Sequence, residues 1–542
     1  MTAIGQLPDK KLHRPAMKIW LTVFFILGIG IGLRFYHITR DDFFLYDEGF
    51  YLNYNRVFLK MMEIVPPHNF SQFKEALLVW FRFSMASGKA LWFLLTDARL
   101  FWGWIKVWCF PRLISAVAGT MTLGITFLLG KRFFNSNRVG IVSMALLAVL
   151  PSHVFYSRLG LQEAICTLFF TSGLYFYLFP RQFSAKTFLS GALLVCAYFT
   201  NYRLIIIPLL VAFTEIFISL SERRFPDIRK YVWHTVTFFF FVFIIGNLDK
   251  AENTIVTFSW MFHQANLAEG SFNWFNFLSY PYYLFRLESV VFGLLFFGNM
   301  YYLLRKQWIK LFPFAFVCLQ MLIFSFVEDQ AARYVAVTTP LMAIAVASII
   351  VCIQQRNKFF EKIGWGIAVI AMVSLLGKST TIARAQSDYK IAVQQLSVND
   401  PHPLILSTQP WIQNLYTRNK MDVYECPHKL EGLVTLYAKG FRYLVLCPQV
   451  YISWTSTGEK FHLPLTGYLE FITTQVKPIG IFPHMNQVML DRFVFEHNDN
   501  LRYSVQFLNA PNQHHGLIRI YSIKQIIETL GQWLSEQQKM KS

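Results

Sequence analysis

Two adjacent carboxylates, Asp47 and Glu48 in the stretch LYDEGFY, lie just beyond the first long apolar segment of a chain that is otherwise mostly hydrophobic. Paired acids so close to a bilayer cost desolvation energy unless they work or are neutralised. The work open to them is proton transfer, because a positioned carboxylate can take a proton from a bound hydroxyl. The duller account is pairing with basic neighbours such as Arg34 or Arg40. Further ionisable residues recur at the ends of other apolar segments: Lys89, Arg112, Arg158, Glu163, Arg203, Glu328, Asp329 and Arg333. Any one of the arginines can be an interfacial anchor whose stem lies in the apolar phase. A ring of acids and bases on one side is better evidence of a site than any member alone.

The elements that must position these groups are membrane spans. The 542 residues are 54% hydrophobic, 18% aromatic and only 15% charged, with mean hydropathy +0.38. That balance belongs to a polytopic membrane protein. A crossing needs roughly 20 apolar residues for about 30 Å of hydrocarbon. About eleven candidates appear, near 19–38, 112–130, 139–156, 161–179, 187–199, 203–220, 231–247, 288–304, 311–327, 334–353 and 363–377. The fifth is short for a crossing.

Orientation follows from the basic residues. With the N-terminus inside, the inner segments 1–18, 131–138, 180–186, 221–230, 305–310 and 354–362 all carry Lys or Arg. Much of the +19 formal charge is therefore a topology signal, with attraction to anionic lipid second, and nucleic acid need not be invoked. The first span reads as an uncleaved signal anchor. The outer face then holds the loops 39–111, 157–160 and 248–287, and the segment 378–542. The stretch FKEALLVWFRFSMASGKALWFLL suits helices lying in the interface.

Residues 1–377 thus form a membrane domain. Residues 378–542 change character, with alternating segments HPLILS, FRYLVLCP, VKPIGIF and HHGLIRIYSI between helical stretches near 410–418, 430–440 and 522–538, as in a small extracytoplasmic α/β domain. Cys426 and Cys447 fall in this domain, where a disulfide between them is one option. The other five cysteines sit in or beside spans as packing residues. No P-loop, no GxGxxG after a strand, no CxxC and no HExxH is present, and the histidines lack metal-ligand spacing. No metal or cofactor is expected.

Four motifs in order carry a family resemblance: LYDEGFY after the first span, FPRLISAVAGTMTLGITFLLGKRFF at the second, SRLGLQEA between the third and fourth, and ARYVAVTTPLMA at a later one. Over residues 15–350 the chain resembles the GT-C superfamily of membrane glycosyltransferases, in the branch of protein O-mannosyltransferases and of the aminoarabinose and galacturonic acid transferases of lipid A. It lacks a WWDYG-type motif. The resemblance implies transfer of a sugar from a polyprenyl-phosphate carrier to a hydroxyl on a glycolipid, polysaccharide or protein, at the outer face and with inversion. By position Asp47 would be the general base, Glu48 its neighbour in the site and Glu163 the second acid, where the family often has Asp.

The residue types suit that chemistry. A phosphate leaving group is already a stable anion, so basic side chains replace a general acid. Lys89, Arg203 and Arg333 are the candidates to hold it, with Tyr334 assisting. Arg112 and Arg158 could hold phosphate or orient the acids by ion pairing. A transporter or flippase of lipid-linked sugars, whose charges guide a polar head group across the bilayer, is the alternative from another class. The absence of an evident retention signal favours a bacterial plasma membrane over an endoplasmic reticulum.

Overall fold

The computed structural model describes residues 13–40, 108–178, 185–223, 225–248, 274–327, 330–417, 422–427, 429–447, 463–483, 485–496, 501–509 and 516–541, with 45, 47–49, 51–52, 71, 75 and 89–97. Glu328, Asp329 and most of the segments 39–111 and 248–287, expected to be outer loops, lie outside these residues.

The helices of eight residues or more in the membrane part run α1 (His13–Phe35), α2 (Ala90–Asp97), α3 (Cys109–Phe134), α4 (Asn137–Ala148), α5 (Pro151–Arg158), α6 (Glu163–Leu178), α7 (Ala185–Thr200), α8 (Ile207–Glu222), α9 (Ile228–Leu248), α10 (Val290–Phe297), α11 (Trp308–Ser325), α12 (Thr339–Gln354) and α13 (Lys358–Arg384). Every apolar segment expected to span is helical, but the count of eleven crossings is not what helix length gives. Among the described residues six helices are long and apolar enough to cross, and the α4–α5 pair, bent by 57°, would make a seventh. Glu163–Leu178, Lys186–Thr200 and Val290–Leu304 are apolar but shorter. Such segments can sit at membrane depth where neighbouring helices cover them. Much of α6 is buried, and α12 is buried almost throughout.

The α4–α5 break shows how the chain meets the cost of an interrupted helix. Pro151 cannot continue the hydrogen-bond ladder and starts a new helix instead. The carbonyls this frees would be orphaned at membrane depth. Fully buried Arg34 donates from Nη1 to the Ala148 carbonyl at 3.1 Å and to Gly30 at 2.9 Å, and from Nη2 to Leu147 at 3.3 Å. The Ser379 hydroxyl serves the Val149 carbonyl at 2.8 Å. One arginine and one serine thus hold α1, α4 and α13 together around the bend. Arg34 is a packing residue here, not a partner of Asp47 or Glu48.

Small residues set the spacing beside it, as expected where lipid gives no hydrophobic drive to helix association. A Cβ on Gly119 of α3 would sit 2.1 Å from the Ser157 hydroxyl and 2.6 Å from its Cβ on α5. The two backbones therefore pack in direct contact.

Beyond α13 come α14 (Tyr389–Asn399), β1 (Ile405–Ser407), β2 (Val423–Glu425), α15 (Leu430–Ala438), β3 (Tyr443–Leu446), α16 (Leu463–Gln475), β4 (Gly480–Pro483), α17 (Gln487–Glu496), α18 (Leu501–Asn509), β5 (Leu517–Ser522) and α19 (Ile523–Lys541). The sheet order is β2-β1-β3-β5-β4. β1 is parallel to β2 and β3, while β5 is antiparallel to β3 and β4. The α/β reading of this segment holds. The stretch expected to be helical at 410–418 contains only the turn Pro410–Gln413. Cys426 and Cys447 are both buried and unbonded. They follow β2 and β3, strands separated by β1, and two strand spacings of about 4.8 Å exceed the reach of a disulfide.

The C-terminal segment does not simply stand on the membrane part. α17 buries Met489, Leu490, Phe493, Val494 and Phe495 in the same apolar core as the spans. Leu52, just after the acidic motif, packs with the sheet residues Ile405, Val445 and Ile518.

Replacing Gly119 by Leu forces α3 and α5 apart or moves Ser157. The expected result is a loss of about 1–3 kcal/mol, seen as a lower melting temperature of the purified protein. Gly28→Leu, where nothing lies within 4 Å of a built Cβ, should be neutral by the same measurement.

Candidate active site

Asp47–Gly49 form a helical turn, opened by the Glu48 amide bonding the Leu45 carbonyl at 3.1 Å. Gly49 fits because a Cβ there would meet Ile412 at 2.8 Å. The turn is thereby wedged against the Pro410–Gln413 segment of the C-terminal domain. Its two acids face different partners.

Glu48 is 2% exposed and fully engaged. Its Oε1 accepts from Arg112 Nε at 2.9 Å and from the Gly160 amide at 2.8 Å, and its Oε2 accepts from Arg112 Nη2 at 3.2 Å. Arg112 also donates to the Arg40 carbonyl at 2.9 Å. This two-pronged pair ties the acidic motif to the start of α3 and to the corner before α6. Arg158 donates to the carbonyls of Leu33 and Ala383 at 2.8 and 2.9 Å, capping the ends of α1 and α13. Of the two readings open for these arginines, Arg112 is in the pairing arrangement, and Arg158 bonds main chain rather than an acid.

Asp47 turns the other way, onto Arg333, which donates to its Oδ2. Arg333 sits in the 3₁₀ turn Ala332–Thr338 that leads into α12. Next to it the Arg203 guanidinium lies 4.2 Å from the centre of the Tyr334 ring. Arg203 is placed by the turn after α7, where the Asn201 side chain accepts the Arg203 amide at 3.1 Å. Lys89, just before α2, has its Nζ 4.8 Å from the Tyr51 ring centre. Both are cation–π contacts, which hold a cation without using up its charge.

Glu163 is buried at the first turn of α6. Gln162 donates to its Oε1 at 3.1 Å, while Oε2 is buried with no hydrogen-bond partner. The Lys89 ammonium feels the charges of Arg203, Asp47, Arg333 and Glu163 together. Burial, and next the like charge of Arg203, push it down to about 8. Burial, and next the Asp47 charge, hold the Tyr51 hydroxyl well above the usual range, so Tyr51 stays a neutral donor.

The structure therefore divides the expected residues. Asp47, Glu163, Lys89, Arg203, Arg333 and Tyr334 form one cluster. Glu48, Arg112 and Arg158 make the frame beside it.

One member escaped the sequence reading. Glu496, the last residue of α17, is 1% exposed and reaches the cluster from the C-terminal domain. It accepts from the Tyr156 hydroxyl and lies 3.9 Å from Arg333 Nε. Burial, opposed by Arg333, raises its carboxyl to about 7. The signal available was the run MLDRFVFE, whose three charges sit in an otherwise apolar helix. α17 carries a second buried group too. Asp491 accepts from Arg286 at 2.7 and 3.0 Å, and Arg492 donates to the Ser152 hydroxyl at 2.9 Å and the Leu287 carbonyl at 3.2 Å.

The frame and the cluster should respond differently to loss of charge. Glu48→Ala removes the carboxylate that buried Arg112 and the Gly160 amide both donate to. A loss of about 3–5 kcal/mol is expected. Asp47→Asn keeps a hydrogen-bond acceptor on Arg333, which retains Glu496 nearby. Its melting temperature should stay much nearer wild type, and equal losses in the two variants would refute the division.

No family model matches the chain, and no curated protein matches it significantly. Among solved structures it is similar to the crystal structure of ArnT from Cupriavidus metallidurans in the apo state, at 13% identity and TM-score 0.49, over 81% of this chain and 95% of that one. It is also similar to the crystal structure of ArnT from Cupriavidus metallidurans bound to undecaprenyl phosphate, at 13% identity and TM-score 0.45, over 87% and 96%.

Proposed function

We propose that the protein is an inverting glycosyltransferase that moves a sugar from a polyprenyl-phosphate carrier to an acceptor hydroxyl at the outer face of a membrane. The observation that carries this reading is the position of Asp47. It is a carboxylate set among three cations, Lys89, Arg203 and Arg333, beside a second buried acid, Glu163. Acids and cations around one point match a reaction in which a hydroxyl loses a proton while a phosphate leaves.

Each group has a role that its chemistry suits. Arg333 can present paired N–H donors to phosphate oxygens, and Arg203 and Lys89 add charge that compensates the leaving anion. Tyr334 holds Arg203 in place through its ring face. As phosphate draws Arg333 toward itself, Asp47 loses part of its ion pair and becomes the stronger base. It then takes the proton of the acceptor hydroxyl while that oxygen attacks the anomeric carbon from the face opposite the phosphate. The unpartnered Oε2 of Glu163 accepts a hydrogen bond from a substrate hydroxyl. The leaving phosphate needs no proton, so no general acid is required.

The carrier lipid runs between spans in the outer leaflet, bringing its phosphate to the cations without leaving the membrane. The acceptor, a glycolipid, polysaccharide or protein, meets the site beside the C-terminal domain. The orientation and the inner bacterial membrane rest on the distribution of Lys and Arg and on the family resemblance.

The test is transfer from a panel of radiolabelled polyprenyl-phosphate sugars into membrane lipid and protein fractions. Asp47→Asn should lower kcat by about 10²–10⁴ with donor binding kept. Donor flipping that is equal in both proteins, with no transfer product from either, would replace this reading by the transporter.

Lys89 gives the reaction an alkaline limit. Its value is lowered to about 8, so its charge is present below that pH and lost as pH rises through it. KM for donor should therefore climb above about pH 8. Lys89→Arg, which stays charged, should shift that rise to higher pH. An unmoved profile would remove Lys89 from phosphate binding.

A further inference from the structure

The cluster around Asp47 holds as many carboxyl groups as cations before any substrate arrives. Lys89, Arg203 and Arg333 supply three positive charges; Asp47, Glu163 and Glu496 supply three sites for negative charge. A phosphodiester entering this site adds a negative charge that competes with these carboxyl groups for the same three cations. In a buried site such competition is relieved by taking up a proton. The question is which acid takes it.

Asp47 is already engaged by Arg333, which donates to its Oδ2. Glu496 is differently placed. Its Oε1 accepts from Tyr156, but its Oε2 is buried and unbonded, facing Arg333 Nε across 3.9 Å. Arg333 Nε is itself buried without a hydrogen-bond partner. A donor and an acceptor of opposite charge thus stand apart, each unsatisfied, at the edge of the proposed phosphate position.

We propose that Glu496 is a positioning residue of the transfer site: it holds Arg333 as an anion in the empty enzyme and takes up a proton when the donor phosphate binds. Protonated on Oε2, it becomes a hydrogen-bond donor where it had been a competing negative charge. Arg333 is then released to the phosphate. The proton comes from solvent, and no covalent bond to carbon or phosphorus changes. This inference rests on the proposed donor site and adds to it a carboxylate that the C-terminal domain supplies.

The surroundings of Glu496 support this choice. From the packed elements it meets Arg333, Tyr156 of α5, Glu163 of α6 and Arg492 of its own helix. Arg492 is engaged with Ser152, the Leu287 carbonyl and Glu288, the last at 3.7 Å. Arg286 is paired with Asp491, and Lys378 donates to the Arg286 carbonyl at 2.5 Å. Arg502 of α18 is exposed. Burial, the first influence on the Glu496 carboxyl, holds it near neutrality, where a phosphate nearby is enough to protonate it.

The experiment measures binding of a polyprenyl methyl phosphodiester, whose single charge does not titrate near neutrality, to the full chain in lipid nanodiscs. Both proteins compared carry Lys89→Arg, so that Lys89 adds no slope of its own. With Glu496 present, Kd should rise by up to about tenfold per pH unit above the carboxyl's own value. With Glu496→Gln, Kd should stay flat and be the tighter of the two at alkaline pH. Binding to wild type should also produce the infrared band of a protonated carboxyl, and its persistence in Glu163→Gln, the other buried carboxyl with an unbonded oxygen, decides the matter if Glu496→Gln does not fold. Equal slopes in the two proteins, or no such band, would overturn the inference and leave the donor site standing. No binding at any pH would overturn the donor reading and this inference with it.

Discussion

Charge withdrawn from water has to be balanced within a few ångströms, and this constraint organises the molecule from Asp47 to the last turn of α17. A buried ion costs several kcal/mol unless a counter-charge and hydrogen bonds surround it. Glu48 and Arg112 satisfy the condition completely, with both carboxylate oxygens and three guanidinium donors used. Such a pair has little left for a substrate. The cluster around Asp47 satisfies it incompletely. Arg333 Nε, Glu163 Oε2 and Glu496 Oε2 are buried without hydrogen bonds. The frame is stable because it is saturated, and the site is receptive because it is not.

The same logic applies to the backbone. The bend between α4 and α5 leaves carbonyls facing a medium that cannot hydrate them, and Arg34 and Ser379 supply the missing donors. Arg158 does likewise at the ends of α1 and α13. The bend is useful because α5 carries Tyr156 to Glu496 and Ser152 to Arg492. A straight helix through the same residues would take these hydroxyls elsewhere.

How much of this could be read from the chain depends on the range of each interaction. Membrane helices were legible because lipid demands a long apolar run, a property of consecutive residues. Among the described helices, α6, α7 and α10 are apolar but shorter than a full crossing, which a count of apolar segments does not distinguish. Asp47, Arg333 and Arg203 were legible as charges at the ends of apolar runs. The division of labour between Asp47 and Glu48 was not, since adjacent residues look alike until their partners, 64 and 286 positions away, are known. Glu496 was hidden for a further reason. The helices expected in the C-terminal segment lie near 410–418, 430–440 and 522–538, so no expected helix carries the charges of 487–496. In fact Met489–Glu496 are all buried, so the helix is a plug and its charges point into the protein.

That plug bears on how the two parts of the chain build one cluster. A carboxylate contributed by the C-terminal segment makes the site depend on the seating of α17, since moving α17 outward removes Glu496 from Arg333 and Arg492 from Ser152 at once. Residues near the acidic motif respond to the same docking: Gly49 abuts Ile412, and Leu52 lies in the core beneath the sheet. The membrane part supplies Asp47 and the cations, while the C-terminal segment supplies the Glu496 carboxyl beside Arg333 and the wall against which the acidic turn is held. Two constraints meet on α17: its apolar side must fill the space above the spans, and its charged side must find buried partners. A sequence that meets both fixes the position of the C-terminal segment closely, because a shift by one helical residue would turn Glu496 away by about 100°.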